Sequence, residues 1–179
     1  MLLSPLDRAG AQPADSAARI SDGVVKVGLI LDLSGPYSDN SGEATATAAK
    51  MAVEDFGGRV LGVPIEVVIG DHRNSASRAA AIARDWFTNQ KVDAIMDVTG
   101  SSEALAVQAI ADTQHKIISL SGPGAVRLTN EACTPNSVHY VFDTRSVAQT
   151  VGTALVTRGD KTWFFVTVDY SFGYDLENN

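Results

Sequence analysis

The stretch "VVKVGLILDLSGPYSDNSG", residues 24–42, decides the fold. Its first part, residues 24–32, is a run of Val, Ile and Leu with little polar alternation, which is typical of a strand covered on both faces. Its second part is a turn rich in Ser, Gly and Asn that leads into an alanine-rich stretch. The turn has neither the G-x-x-x-x-G-K-[ST] spacing nor the G-x-G-x-x-G spacing of phosphate-binding loops. Nucleotide binding is therefore not the function that we predict first.

The same pattern of a buried strand followed by a helix repeats along the chain. Further strands are predicted at residues 63–71, 92–98 and 116–121, and helices at 41–56, 75–90 and 102–113. Crossovers of this length join parallel strands by right-handed connections. The fold class is therefore α/β, a Rossmann-like doubly wound parallel sheet with helices on both faces.

The alternation continues after an irregular segment. A short strand "VHYVF" is predicted at residues 138–142, a helix at about 145–158 and a strand "TWFFVTV" at 162–168. The chain stops where a further helix is expected to begin. These elements predict the start of a second, unfinished βαβ system.

Each of the predicted helices has an apolar face. In the helix at 75–90, the residues expected to face inward are Ala79, Ile82, Ala83, Trp86 and Phe87. In the helix at 41–56, they are Ala48, Ala49, Ala52, Val53 and Phe56.

Composition and charge restrict the class of function. The chain has 179 residues, of which 45% are apolar, and a formal charge of −7 from 14 Lys and Arg against 21 Asp and Glu. No basic cluster is present, so nucleic-acid binding is not expected. The one cysteine, Cys133, cannot form a disulfide within this chain, and the cellular compartment stays open.

The first 22 residues lack hydrophobic periodicity and are rich in Ala, Ser, Pro and Asp. Two interpretations remain: a disordered tail, or the remnant of a secretory signal, because "AGAQPA" at residues 9–14 has the small residues of a cleavage region.

Candidate binding residues follow the predicted strands, since ligands of open parallel sheets bind beyond the carboxyl ends of the strands. Three turns qualify: residues 32–42, "TGSSE" at 99–103 and "SLSGPG" at 119–124. Their Ser and Thr residues either cap helices or join backbone N–H groups in holding a carboxylate. Three such turns at one edge favour binding.

Aromatic residues near these turns could cover a small ligand. Tyr37 lies in the first turn, where it either covers a ligand or packs as a loop residue. Tyr170 and Phe172 follow the last predicted strand and either form the opposite wall or pack as a hydrophobic staple.

Catalytic and metal motifs are weak. The histidines at 72, 115 and 139 are far apart, so no metal site is expected, and no G-x-S-x-G elbow is present. Three aspartates near strand ends, Asp32, Asp71 and Asp97, could pair as carboxylates, although acidic residues at such junctions more often cap helices. We therefore predict no catalytic residue and no cofactor.

The linked segments carry a family resemblance from about residue 21 to the end. They comprise residues 24–42, "AAKMAVEDFGG" at 48–58, "GVPIEVVIGDHRN" at 62–74, "KVDAIMDVTGSSEALAV" at 91–107, "LTNEACTPNSVHYVFDT" at 128–144 and "TWFFVTVDYSFGYDLE" at 162–177. Together they resemble type I periplasmic solute-binding proteins of the branched-chain amino acid ABC transporter family. The resemblance is specific to the family and much less specific to a ligand.

The resemblance implies a two-lobe clamp that closes on a small solute and delivers it to a membrane permease. Residues 1–22 would be a tail or signal remnant, 23–142 the N-terminal part of lobe 1, and 143–179 an incomplete start of lobe 2, with a hinge crossing near residues 142–144. A truncated or fragmentary chain is expected, and the full-length protein is expected to be periplasmic and monomeric. An isolated chain of this kind is expected to expose unfinished apolar sheet edges and either to aggregate or to bind its ligand weakly.

The resemblance also implies the binding residues. The family's ligand carboxylate would be held by the turn after the third strand, the turn after the fourth strand would line the cleft, and aromatic and polar residues of both lobes would cover it. The matching residues are Tyr37, Ser38, Thr99, Gly100, Ser101, Ser102, Ser121, Gly122, Gly124 and Phe172.

One departure from the family pattern bears on the ligand. Where many relatives carry Ala or Thr, this chain has Gly122-Pro123-Gly124, which is expected to remove side-chain contacts and enlarge the pocket. Branched-chain or other amino acids and aromatic or aliphatic acids all remain candidate ligands. A sensor of the same fold that controls transcription or signalling is the alternative function, and a flavodoxin-like or dehydrogenase-like enzyme is a third hypothesis.

Overall fold

The computed structural model describes residues 22–179, and these residues form an α/β structure around a mixed but mostly parallel sheet. The strands are β1 (Val25–Leu31), β2 (Arg59–Val60), β3 (Val63–Asp71), β4 (Ala94–Val98), β5 (Ile117–Leu120) and β6 (Ser137–His139). Their order is β2-β3-β1-β4-β5-β6, and every pair is parallel except β2 with β3. The predicted parallel sheet is confirmed, and β2 is an addition to it.

The helices alternate with these strands. They are α1 (Ser38–Ser41), α2 (Glu43–Asp55), α3 (Ala76–Asp85), α4 (Ser101–Thr113), α5 (Thr144–Arg158) and α6 (Ser171–Asn178). A π-helical turn at Trp86–Gln90 extends α3, and a 3-10 turn at Val126–Leu128 lies between β5 and β6. Within residues 22–179, no helix has the length and apolar character needed to cross a membrane. The predicted tail or signal at the N-terminus lies outside the described residues.

Strand β1 shows why both faces of the sheet are covered. Ile30 packs into a large core with α3 and α4, whereas Leu29 and Leu31 pack into a second cluster with Ala46 of α2. All three strand residues are buried. Because successive side chains of a strand point to opposite faces, a continuous apolar run requires helices on both sides.

The predicted inward face of α3 is confirmed. Ala79, Ala83, Trp86 and Phe87 are buried, and Ile82 packs against the same cluster. The Trp86 ring lies so close to β1 that a Cβ on Gly28 would be 2.5 Å from its Cζ3 atom. The Trp86 ring can pack directly on β1 at this point because Gly28 has no side chain.

The predicted inward face of α2 is wrong in three positions. Ala48 and Ala52 are exposed, and the Phe56 side chain is 66% exposed. The buried residue is Ala46 instead. The predicted helix at 41–56 is in fact two helices, α1 and α2, that meet at Gly42.

The predicted strand at residues 162–168 is wrong. The segment has no regular secondary structure, and none of the strands β1 to β6 pairs with it. A strand needs a neighbour that accepts and donates its backbone hydrogen bonds, and the described residues provide none. Phe164 and Val166 remain 91% and 90% exposed in this segment.

Candidate functional site

A cavity of about 200 Å³ lies beyond the carboxyl ends of the parallel strands. Loops after β1, β4 and β5 form one side of the cavity, and residues 142, 170 and 172 form the rest of its wall. Its lining residues are Tyr37, Asn40, Thr99, Gly100, Ser101, Gly122, Pro123, Gly124, Phe142, Tyr170 and Phe172. The fold therefore brings together seven of the ten predicted site residues: Tyr37, Thr99, Gly100, Ser101, Gly122, Gly124 and Phe172.

The other three predicted residues lie beside the cavity and are engaged elsewhere. Ser38 begins α1, and its N–H donates to the Gly35 carbonyl at 3.2 Å. The Ser102 hydroxyl donates to the Ser171 hydroxyl at 3.0 Å, and the Ser121 N–H donates to Asp97 at 3.1 Å. Their predicted role in ligand contact stays a prediction.

The N-terminus of α4 borders the cavity and is not capped by a side chain. Gly100 is the N-cap residue, with φ of 84°, and the first helical hydrogen bond runs from the Ala104 N–H to the Gly100 carbonyl at 3.0 Å. The N–H groups of Ser101 and Ser102 therefore have no partner inside the helix. This end of the helix has partial positive charge and can hold an anion.

Glu103 lies in the first turn of the same helix and is 4% exposed. A Cβ on Gly100 would overlap the Glu103 carboxylate, so position 100 has no room for a side chain. Burial raises the pKa of Glu103, and the nearby Asp32 adds to this effect, while the residue's own backbone N–H opposes it. The carboxyl group therefore ionises less readily here than in water.

The hydroxyl groups of the site mainly tie its loops together. The Thr99 hydroxyl donates to the Ser41 hydroxyl at 2.9 Å, and that of Ser41 donates to the Tyr37 carbonyl at 3.2 Å. The buried Ser101 hydroxyl accepts the N–H of Ala125 at 3.2 Å. With these hydroxyls engaged, the backbone N–H groups of Ser101 and Ser102 at the start of α4 are available as donors for a ligand.

Aromatic rings form the rest of the wall. The Tyr37 hydroxyl donates to the Tyr170 hydroxyl at 2.9 Å, and the two ring centroids are 6.1 Å apart with an interplanar angle of 68°. Tyr170 in turn stacks on Phe172 with centroids 6.3 Å apart. Burial raises the pKa of the Tyr170 phenol, so this hydroxyl stays protonated.

At Gly124, part of the turn Gly122-Pro123-Gly124, the position of the missing side chain lies against two aromatic rings. A Cβ on Gly124 would lie 3.0 Å from the Phe172 ring and 3.4 Å from the Phe142 ring. The space left by the missing side chain is therefore occupied by two aromatic rings. Glycine at this position makes the cavity more aromatic.

Four lining residues were not among the ten predicted site residues, although Tyr170 had been considered as part of the opposite wall; they are Asn40, Pro123, Phe142 and Tyr170. Phe142 was assigned to the end of a strand, but β6 ends at His139, and residues 140–142 extend past the sheet edge. The aromatic residue at the carboxyl end of a predicted strand was the signal that could have identified it.

The strand-end aspartates neither pair with one another nor cap helices. Asp97 accepts the N–H groups of Ser121 and Gly122 at 3.1 and 3.2 Å, so it fixes the turn after the neighbouring strand β5. Asp32 and Asp71 hold the first loop in the same manner. Carboxylates here shape the loops of the cavity.

Metal ligation has no support in residues 22–179, where no group of three His, Cys, Asp or Glu side chains is close enough to hold an ion. His72 is fully buried, and its Nδ1 accepts the Asn74 N–H at 3.0 Å. Burial lowers the pKa of His72, so the ring stays neutral despite the nearby Asp32 and Asp71. Cys133 is free and exposed.

A larger apolar groove, of about 580 Å³, lies between α5, α6 and the segment before α6. Its lining residues are Val147, Ala148, Val151, Gly152, Trp163, Phe165, Leu176, Glu177 and Asn179. None of these residues belongs to a loop at the carboxyl edge of the sheet. The smaller cavity is the candidate site because it combines that edge with free backbone donors and aromatic walls.

Comparisons with known proteins agree with this geometry. A family described as periplasmic binding protein matches residues 24–179. The chain is 47% identical to a periplasmic binding protein from Burkholderia mallei, with a TM-score of 0.84; the match covers 88% of this chain and 42% of that one. No curated protein matches the chain.

Two further structures illustrate the range of ligands among similar proteins. A branched-chain amino acid ABC transporter periplasmic ligand-binding protein from Burkholderia xenovorans is 31% identical, with a TM-score of 0.74, over 86% of this chain and 41% of that one. A solute-binding protein of an ABC transporter from R. palustris, in complex with benzoate, is 27% identical, with a TM-score of 0.79, over 87% and 43%. The chain thus spans about two fifths of the length of each of these structures.

Proposed function

The chain belongs to the periplasmic binding protein family, and from this premise we propose that it binds a small carboxylate solute for an ABC importer. The fold is the type I α/β fold of the family. The proposed act is reversible binding in the cavity beyond β1, β4 and β5, with no chemical step. The single observation that carries the proposal is the uncapped N-terminus of α4 facing a cavity walled by aromatic rings.

A carboxylate fits the α4 end of the cavity. The N–H groups of Ser101 and Ser102 have no partner inside the helix, whereas that of Glu103 is engaged by the residue's own carboxylate, and the helix dipole favours negative charge at this end. None of the described residues that line the cavity carries a charge at neutral pH. The ligand's charge would thus be balanced by backbone dipoles, as at other helix N-termini that bind anions.

The other walls favour an aromatic acid over an α-amino acid. Tyr37, Phe142, Tyr170 and Phe172 present rings to the cavity, and rings pack well against a planar aromatic ligand.

The similar structures support both ligand classes, since one is a branched-chain amino acid ABC transporter periplasmic ligand-binding protein and another is in complex with benzoate. The aromatic walls of this chain lead us to prefer a benzoate-like acid. The named relatives are periplasmic or ABC transporter proteins, so we propose an extracytoplasmic receptor with a membrane permease as partner. We also propose residues 23–142 and 143–179 as parts of two lobes.

Thermal unfolding with added ligands tests the proposal. A ligand that binds only the native state raises its stability by mass action, by about 2.7 kcal/mol at 100 times its Kd. Benzoate, 4-hydroxybenzoate, L-leucine and ATP would each be added to the 179-residue chain. We expect benzoate or 4-hydroxybenzoate to raise the melting temperature and ATP to leave it unchanged. Stabilisation by ATP alone would overturn the proposed function, and stabilisation by L-leucine alone would overturn the aromatic preference.

A pair of glycine variants locates the binding. Gly124→Ala adds a methyl group against the rings of Phe142 and Phe172. Gly152→Ala adds the same group on α5, where nothing lies within 4 Å. Gly124→Ala should weaken benzoate binding severalfold, and Gly152→Ala should leave it unchanged. Equal affinities for the two variants would exclude this cavity as the site.

A further inference from the structure

Asp32 is a fully buried carboxylate at the end of β1. Its Oδ1 accepts the Gly35 N–H at 2.8 Å, and its Oδ2 accepts the Tyr37 N–H at 2.9 Å. Within residues 22–179, no Lys or Arg forms an ion pair with it. The buried charge is therefore stabilised by two backbone N–H groups of the loop that follows it.

The loop is built around this arrangement. A Cβ on Gly35 would overlap the Asp32 carboxylate, so only glycine lets the chain wrap this closely around it. The second of the two N–H groups belongs to Tyr37, whose ring lines the cavity and whose hydroxyl donates to Tyr170. A short chain of contacts thus runs from the end of the sheet to the aromatic wall.

We propose that Asp32 is a positioning residue of the binding cavity, which holds the Tyr37 backbone so that the Tyr37 ring forms the wall. The predicted effect of Asp32 on ligand binding rests on the proposed function. The predicted effect of Asp32 on the position of Tyr37 rests on the loop geometry alone. Asp32 does not itself line the cavity. Its influence on a ligand must therefore pass through Tyr37.

Asp93 provides a matched control. Its Oδ2 accepts the Lys26 N–H at 2.8 Å, so it makes the same type of bond as Asp32. Lys26 lies near the start of β1 and Asp93 just before β4, at the end of the sheet opposite the cavity. A loss of stability alone would affect Asp32→Asn and Asp93→Asn alike, whereas a positioning role affects only the first.

The first measurement needs no ligand. Hydrogen exchange by NMR should show the Gly35 and Tyr37 amides protected in the 179-residue chain, and at least about tenfold faster exchange of the Tyr37 amide in Asp32→Asn. Asp93→Asn should leave both amides unchanged. If the Tyr37 amide of the unmodified chain exchanges as fast as an unprotected amide, the inference is overturned. This outcome decides the question even if Asp32→Asn fails to fold.

The second measurement couples Asp32 to the ligand through Tyr37. Calorimetry with benzoate should give about tenfold weaker binding for Asp32→Asn, the size expected for one lost charge-assisted hydrogen bond. In a Tyr37→Ala background the same change should have less than about a twofold effect, because the two residues act as one unit. Full additivity would overturn the inference. Absence of binding by the unmodified chain would instead overturn the proposed function, and the exchange data would still decide on Asp32.

Discussion

The hydroxyl of Tyr37 donates a 2.9 Å hydrogen bond to the hydroxyl of Tyr170, 133 positions further along the chain. Tyr37 belongs to the loop after β1, and Tyr170 precedes α6. Next to this bond, the Ser102 and Ser171 hydroxyls are 3.0 Å apart. These two pairs fasten the segment around residues 170–172 to the carboxyl edge of the sheet.

Tyr37→Phe removes the first of these bonds while keeping the ring. We expect the free energy of unfolding to fall by about 0.5–1.5 kcal/mol, the usual net value of one hydrogen bond, because the half-buried Tyr170 hydroxyl loses its donor. Urea unfolding measures the change. Tyr140→Phe is the control, since Tyr140 is 64% exposed. Equal effects of the two substitutions would contradict a structural role for the pair.

Gly100→Ala tests the geometry at the start of α4. Gly100 has φ of 84°, and a Cβ there would overlap the buried Glu103 carboxylate. Gly57 has φ of 94° with nothing within 4 Å, so Gly57→Ala measures the cost of a positive φ without a side-chain overlap. That cost is about 1–2 kcal/mol. We expect urea unfolding to show a clearly larger loss of unfolding free energy for Gly100→Ala than for Gly57→Ala, together with weaker benzoate binding. Equal losses would show that the Glu103 side chain moves aside without cost.

The alternation of elements was predictable because it depends on local pattern. A run such as residues 24–32 can be buried only between two layers, and the long crossovers leave parallel pairing as the outcome. The turns at the strand ends followed from the same rule, which is why seven predicted residues meet at one cavity.

The features that could not be predicted from the sequence depend on contacts between residues that are far apart along the chain. The hydrogen bonds of Asp97 to Ser121 and Gly122 join positions 24 and 25 residues apart, and no local motif indicates them. Phe142 was missed because the length of β6 depends on its pairing with β5. The segment at 162–168 has strand composition, but composition cannot provide a neighbouring strand.

Glu103→Gln should raise stability at neutral pH. Burial raises the pKa of Glu103 above its ordinary 4.5, so the unfolded chain ionises first as pH rises. The free energy of unfolding is therefore unaffected below pH 4.5, falls as pH rises through the window above it, and stays lowered beyond the folded-state pKa. Gln resembles the protonated acid and avoids this loss. Urea unfolding should show Glu103→Gln more stable than the unmodified chain at pH 7 and nearly equal at pH 4, with the exposed Glu54→Gln unchanged at both.

Asp71→Asn should show the opposite dependence on pH. Burial acts to raise the pKa of Asp71, but hydrogen bonds from Ser34, Leu33 and Arg73 outweigh it and lower the pKa from 3.8 to about 2. The ionised form thus adds stability that is present above pH 3.8 and is lost as pH falls to about 2. We expect Asp71→Asn to be less stable than the unmodified chain at pH 7 and the two to converge near pH 2. A constant difference across this range would contradict the role of the charge, and the exposed Asp39→Asn is the control.

The apolar segment at residues 162–168 should govern self-association. Phe164 and Val166 are 91% and 90% exposed, and none of the strands in the described residues pairs with this segment. Exposed apolar side chains beside unpaired backbone groups promote association between chains. Replacing both with Ser should lower the association constant measured by sedimentation velocity, and should change the melting temperature little because neither side chain is buried. Met51→Ser, on the exposed face of α2 at 57% exposure, is the control for a general gain in polarity. Equal reduction by Met51→Ser, or a collapse of the melting temperature in the double variant, would show that the segment is not the associating surface.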